Sequence, residues 1–308
     1  MKQYPALTWL ATIIIVFAIL AAGFGLLTTS DGNRFAFTTV RNETAEIWGQ
    51  GLYQYDTAIG AAGFLGADVV TLLLAVPILA ISIRLYRRGF LRGGLLLTGA
   101  LGYFLYNYTS MGYGAAYNNL FLVYIILFAA SLYGLILALL SFDVPTLASH
   151  FRRELPRRGI GIFLIITGII LSLIWLVLSI VPALFASRAP LEAYYYTTFT
   201  TAIIDIGIVA PALVLSGVLI RRGAPLGYLL ASCMLIFTSI LGANLSAGGI
   251  IQIVKGVITI GQAMTFTVPF VILFLIAVWF TVLLFRNFSE THQKSETVFH
   301  EYSATVQH

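Results

Sequence analysis

An all-α bundle of eight membrane-crossing helices is the fold class this sequence predicts, and three observations predict it. The 308 residues are 59% hydrophobic and 9% charged, against roughly 25% charged in a soluble domain, and the mean hydropathy is +0.95. Eight stretches hold the about 20 mostly apolar residues that a crossing needs. The basic residues between them alternate in abundance from loop to loop, as insertion bias demands.

The stretches are 7–27, 63–83, 95–114, 120–141, 160–184, 200–220, 226–248 and 265–285. Only Arg34, Arg41, Arg188 and Lys255, of 17 Lys and Arg, fall in the odd-numbered loops. The rest crowd the even loops and the termini, which puts both termini in the cytoplasm. The net charge of +5 is thus an insertion signal and not a nucleic-acid surface. The first stretch follows Lys2 but exceeds the 7–15 apolar residues of a signal peptide, so it reads as a crossing and not a cleaved leader. One cysteine, Cys233, excludes an intramolecular disulfide.

Between crossings, the loop 28–62 carries "EIWGQGLYQYD", where Trp48, Tyr53 and Tyr55 read as anchors in the headgroup layer, with a lid over an outer pocket as the alternative. In the segment 249–262, Gln252, Lys255, Thr259 and Gln262 recur at steps of three, four and three. That spacing predicts one polar face of a helix that lies in the outer interface or packs over the bundle before the last crossing. The polar tail 287–308 is expected to be flexible.

The chain also echoes itself. Pro77 precedes Arg87-Arg88-Gly89 by the spacing that separates Pro211 from Arg221-Arg222-Gly223, and "YIILF" at 124–128 matches "FVILF" at 270–274. The expected organisation is a four-crossing half, 1–158, repeated in parallel by 159–286. In this register Asp205 aligns with Thr71, and Asp68 lies one turn closer to the outside.

Those two acids sit where a carboxylate is costly, about 3 kcal/mol at the bilayer centre and less toward the interface. Tyr103, Tyr106, Asn107 and Ser110 share one face of the third crossing at a similar depth. Asn118, Asn119 and Tyr124 open the fourth. An outer-leaflet polar cluster of Asp68, Thr71, Tyr103, Tyr106, Asn107, Asn119, Tyr124 and Asp205 is the candidate binding site. Acids, phenols and amides with no buried cation suit a proton, a metal cation or an amine better than an anion.

Several functions are argued against by absences. His150, His292, His300 and His308 all lie outside the crossings, so none offers an imidazole ligand there. No crossing carries a lysine for a Schiff base, and no Walker, Gly-x-Ser-x-Gly or His-Glu-x-x-His pattern occurs. A hydrolase using Asp68 and Asp205 as a pair would lack any nucleophile activator. No cofactor is expected, and an enzyme is the weaker expectation.

The stretches "GLYQYDTAIGAAGFLGADVVTLLLAVPIL", "GYFLYNYTSMGYGAAYNNLFLVYIILFAASLY" and "IIDIGIVAPALVLSGVLIRRGAPLGYLL" resemble a family of uncharacterised bacterial integral membrane proteins. The resemblance covers nearly all the chain except its termini and implies a bacterial cytoplasmic membrane. It carries no activity, so it transfers no functional residue. Two expectations follow, with membrane lipids as the surroundings in both. One is small-solute or cation binding or transport through an outward-facing polar pocket. The other is a non-catalytic accessory component in which the same residues are interhelical hydrogen bonds.

Overall fold

The computed structural model describes residues 1–39, 41–186 and 198–290, without the side chain of Phe266. Arg188, Lys294, the tail from 291 and the histidines within it lie outside the described residues. Nine helices of four or more residues organise the described chain: α1 Pro5–Leu27, α2 Ala58–Arg87, α3 Leu91–Gly114, α4 Phe121–Leu140, a single turn α5 Val144–Leu147, α6 Arg157–Phe185, α7 Thr200–Arg221, α8 Pro225–Val254 and α9 Ile260–Arg286. Its only strands among the described residues form one hairpin, Phe35–Thr38 with Thr44–Ile47.

Seven of these helices are long and apolar enough to cross a membrane, which makes this a multi-pass membrane protein. Apart from the single turn α5, the helix outside that set is α3, which has the length, 24 residues, but spends it on glycines, tyrosines, Asn107 and hydroxyls. Its position explains its composition. α3 packs against α2, α4 and α8 and shows little to the outside, so it has no need of a lipid-compatible surface. α8 is the other central helix: 72% of its most apolar window is buried, against 17% for α6 and α9 at the periphery.

Close helix contact is set by small residues, as expected where lipid competes equally for apolar surface. Gly66 of α2 lies against the backbone of Gly248 in α8, and Gly161 of α6 against Gly217 of α7. Three helices contain one wide, π-type turn each: Thr71–Ala75, Leu176–Ile180 and Asp205–Val209. Each ends two residues before a proline, Pro77, Pro182 or Pro211. Proline lacks an amide hydrogen and its ring clashes with the carbonyl four residues back. Bonding one residue further back, as the Val76 amide does to the Thr71 carbonyl, relieves that conflict without breaking the helix. Thr71 and Asp205 thus occupy the same place in their helices, at the head of the wide turn.

Two expectations about the ends need correction. The segment 249–262 forms no separate interfacial helix. α8 runs on to Val254, and Thr259 with Gln262 forms the capping box that starts α9, so the polar spacing reflects a helix end and a helix start. The polar tail also begins by packing: Phe288 is buried against His150 and Phe151, and Glu290 reaches the start of α3. There its two oxygens accept from the Leu91 and Arg92 amides at 2.9 and 3.1 Å. Phe90, at the cap position, supplies no side-chain cap of its own, so a carboxylate 199 residues away does the work. Glu290→Ala is expected to lower stability by about 1 kcal/mol, read as a shift in thermal unfolding of the purified protein.

Candidate functional site

Residues 28–39 and 41–57 fold back over one end of the bundle and make a roof. Thr57 caps α2 through Gly60, and the Asp56 carboxylate accepts the Ala116 amide at 2.8 Å, tying the roof to the connection between α3 and α4. Arg34 clasps its other side. It pairs with Glu46 at 3.7 Å, lies over the Trp48 ring, and donates to the Lys255 and Gly256 carbonyls between α8 and α9. Trp48 and Tyr53 are buried within this roof, packed with Ala58, Ala61 and Phe64. They are therefore not headgroup anchors; only Tyr55, 60% exposed, has the surface such a role needs.

Tyr53 leads into the site. Its hydroxyl donates to Oδ2 of Asp68 at 2.7 Å, and Asp68 is only 1% exposed. Burial first, and the Asp68 carboxylate second, hold the Tyr53 phenol well above its ordinary range, so it remains a donor. α1 makes room for this pair by offering Gly25: a methyl group there would overlap Oδ2 of Asp68 and come within 3.0 Å of the Tyr53 hydroxyl. Around the carboxylate stand Tyr103, Tyr108 and Tyr124, with Tyr108 stacked between Phe104 and Tyr124. The Tyr124 hydroxyl is buried and faces the Tyr53 hydroxyl and Asn118.

One turn along α2, Thr71 meets the Tyr103 hydroxyl at 3.5 Å, and Asn244 of α8 donates to the same hydroxyl at 3.3 Å. Further across, Trp175 of α6 donates its indole NH to Oδ2 of Asp205 at 2.8 Å. Tyr106 approaches that carboxylate from α3 while packing edge-on against Phe237 of α8. Oδ1 of Asp205 is buried, and beside the Trp175 indole the donor that faces this carboxylate is the Tyr106 hydroxyl.

Six of the eight expected residues thus line the junctions between α3 and its neighbours, in three linked groups: Asp68 with Tyr124, Thr71 with Tyr103, and Asp205 with Tyr106. Two stand apart. Asn119 is exposed on the turn before α4, where its neighbour Asn118 instead accepts the Leu120 amide at 3.0 Å. Asn107 is buried but reaches only the Met111 sulfur, at 3.9 Å. Neither it nor Tyr106 bonds Asp68, because the acid's partner comes from the roof. Reading the sequence by helix faces missed Tyr53, Asn244 and Trp175. Asn244 carried a signal, being a lone amide in an apolar stretch; Tyr53 was legible only through the lid alternative for its loop, with nothing to tie it to Asp68.

Three cavities lie away from these acids. Two of 580 and 510 Å³ sit between α1 and α2 at the arginine-rich end. A cleft of 290 Å³ between α6, α7, α8 and α9 is almost wholly apolar. The acids hold separate partners, Tyr53 and Trp175, and no group of three His, Cys, Asp or Glu able to hold a metal ion occurs among the described residues. No protein family, curated protein or solved structure matches the chain.

Proposed function

We propose that this protein is an eight-crossing, bacterial cytoplasmic-membrane protein, both termini inside, that binds a small cation or cationic solute in an occluded polar site reached from the outer face. One observation carries the reading: the loop that roofs the site is itself bonded to the buried acid at its centre, through Tyr53 and Asp68. A roof that shared nothing with the acid could be packing alone. This one ties its own position to the occupancy of the carboxylate, because a cation arriving at Asp68 competes with the Tyr53 proton for Oδ2. Asp205, faced by Trp175 and Tyr106, adds a second carboxylate, and among the described residues only neutral donors contact either acid.

Supporting the eight crossings, α3 at 24 residues extends about 36 Å, longer than the hydrocarbon layer. Supporting the parallel repeat, the wide turns headed by Thr71 and Asp205 each end two residues before the matching prolines. The closed roof favours the accessory reading to this extent: the site as it stands is shut, and most of its groups satisfy one another.

The two readings part on Tyr53→Phe. If the roof gates a site, removing the hydroxyl loosens it and strengthens the response to monovalent and divalent cations and simple amines, scored as ligand-induced thermal shifts. Asp68→Asn abolishes that response while the protein stays folded. If the cluster is packing only, both variants lose about 1–3 kcal/mol of stability and neither the parent nor the variants respond to any cation.

A further inference from the structure

The two cavities between α1 and α2 adjoin each other and share Thr8, Thr12 and Arg87. Arg84 and Arg88 complete the basic wall, and Trp9, 71% exposed, stands at the rim. No carboxylate lines either space, and the three guanidinium groups have neither an ion pair nor a hydrogen bond among the described residues.

Arginines at the end of a crossing are ordinary, so the comparison with the second half of the chain decides the matter. Arg221 and Arg222 end α7 at the spacing from Pro211 that Arg87 and Arg88 keep from Pro77. There, α6 and α7 meet backbone to backbone at Gly161 and Gly217, where a methyl on either glycine would lie 2.6 Å from the other's carbonyl oxygen. On α1, Thr8 and Thr12 stand at the groove instead, and it stays open. Above it the exposed apolar face of the pair continues through Val16, Ile81 and Leu73.

We propose that this groove binds one anionic phospholipid of the inner leaflet. Its phosphate and headgroup lie among Arg84, Arg87 and Arg88, with the threonine hydroxyls beneath, and its acyl chains run along α1 and α2. Three cations without a counter-charge complement an anion, and the apolar face that continues from the groove fits a lipid and not a free anion.

The test is native mass spectrometry of the purified protein with phosphatidylglycerol or phosphatidylcholine of the same chains, beside thermal unfolding in inorganic phosphate. The parent is expected to retain phosphatidylglycerol preferentially. Arg84→Gln/Arg87→Gln should weaken that retention by roughly tenfold or more, while Arg221→Gln/Arg222→Gln leaves it intact. Thr8→Leu/Thr12→Leu, which fills the groove without touching charge, should weaken it too and gives the answer should the arginine variant not fold. Equal loss in both arginine pairs, equal retention of phosphatidylcholine, or equal protection by inorganic phosphate would each overturn the proposal.

Discussion

Gly25→Ala is expected to destabilise the protein by about 2–4 kcal/mol, far beyond what one added methyl does on a lipid-facing surface. The new Cβ would overlap Oδ2 of Asp68 and sit 2.8 Å from its Cγ. Either the carboxylate turns away from Tyr53, leaving a buried donor and acceptor unpaired at about 1–3 kcal/mol, or α1 moves out and its contacts with α2 and α4 loosen. A neighbouring glycine supplies the control: nothing lies within 4 Å of a Cβ on Gly23, so Gly23→Ala should be neutral or slightly stabilising. The cause is separable from helix displacement by a double-mutant cycle. In an Asp68→Ala background the space is vacant, and Gly25→Ala should cost roughly 1–2 kcal/mol less than in the parent. Additive effects on unfolding would show that the clash is not with the acid.

Gly66→Ala should be as damaging, for a different reason. Here the obstacle is backbone: the new Cβ would run into the amide nitrogen and Cα of Gly248 and lie 2.9 Å from the Ala247 carbonyl carbon. No rotamer change relieves that contact, so α2 and α8 must separate, at a cost of about 2–4 kcal/mol. Gly63→Ala, three residues earlier, has nothing within 4 Å and should be tolerated. Separation of α2 from α8 would also strain the Thr71–Tyr103–Asn244 contact, since Thr71 and Asn244 lie on the two parting helices. The prediction is checked by unfolding in detergent, and a Gly66→Ala protein as stable as Gly63→Ala would refute the close packing.

Hydropathy and charge, which are properties of single segments, determined by themselves that the chain is a multi-pass helical bundle, and located its long helices to within six residues at either end. The prolines determined more than was read from them. Pro77, Pro182 and Pro211 each follow a wide turn that accommodates their missing amide, although Pro269 sits inside α9 without one. The gathering of Asp68, Thr71, Tyr103, Tyr106, Tyr124 and Asp205 near one level was also legible, because a helix converts spacing into depth.

Partners were not legible, because which face of a helix meets which neighbour depends on how all the helices pack. Tyr53 reaches Asp68 only because Gly25 leaves room on α1, and Asn244 reaches Tyr103 only because α8 lies at the centre. Glu290 caps a helix that begins 199 residues earlier, which no local pattern announces. Even the modest hydropathy of α3 acquires its reason from the fold: enclosed by other helices, it could keep the phenols and amides that a lipid-facing helix must exclude.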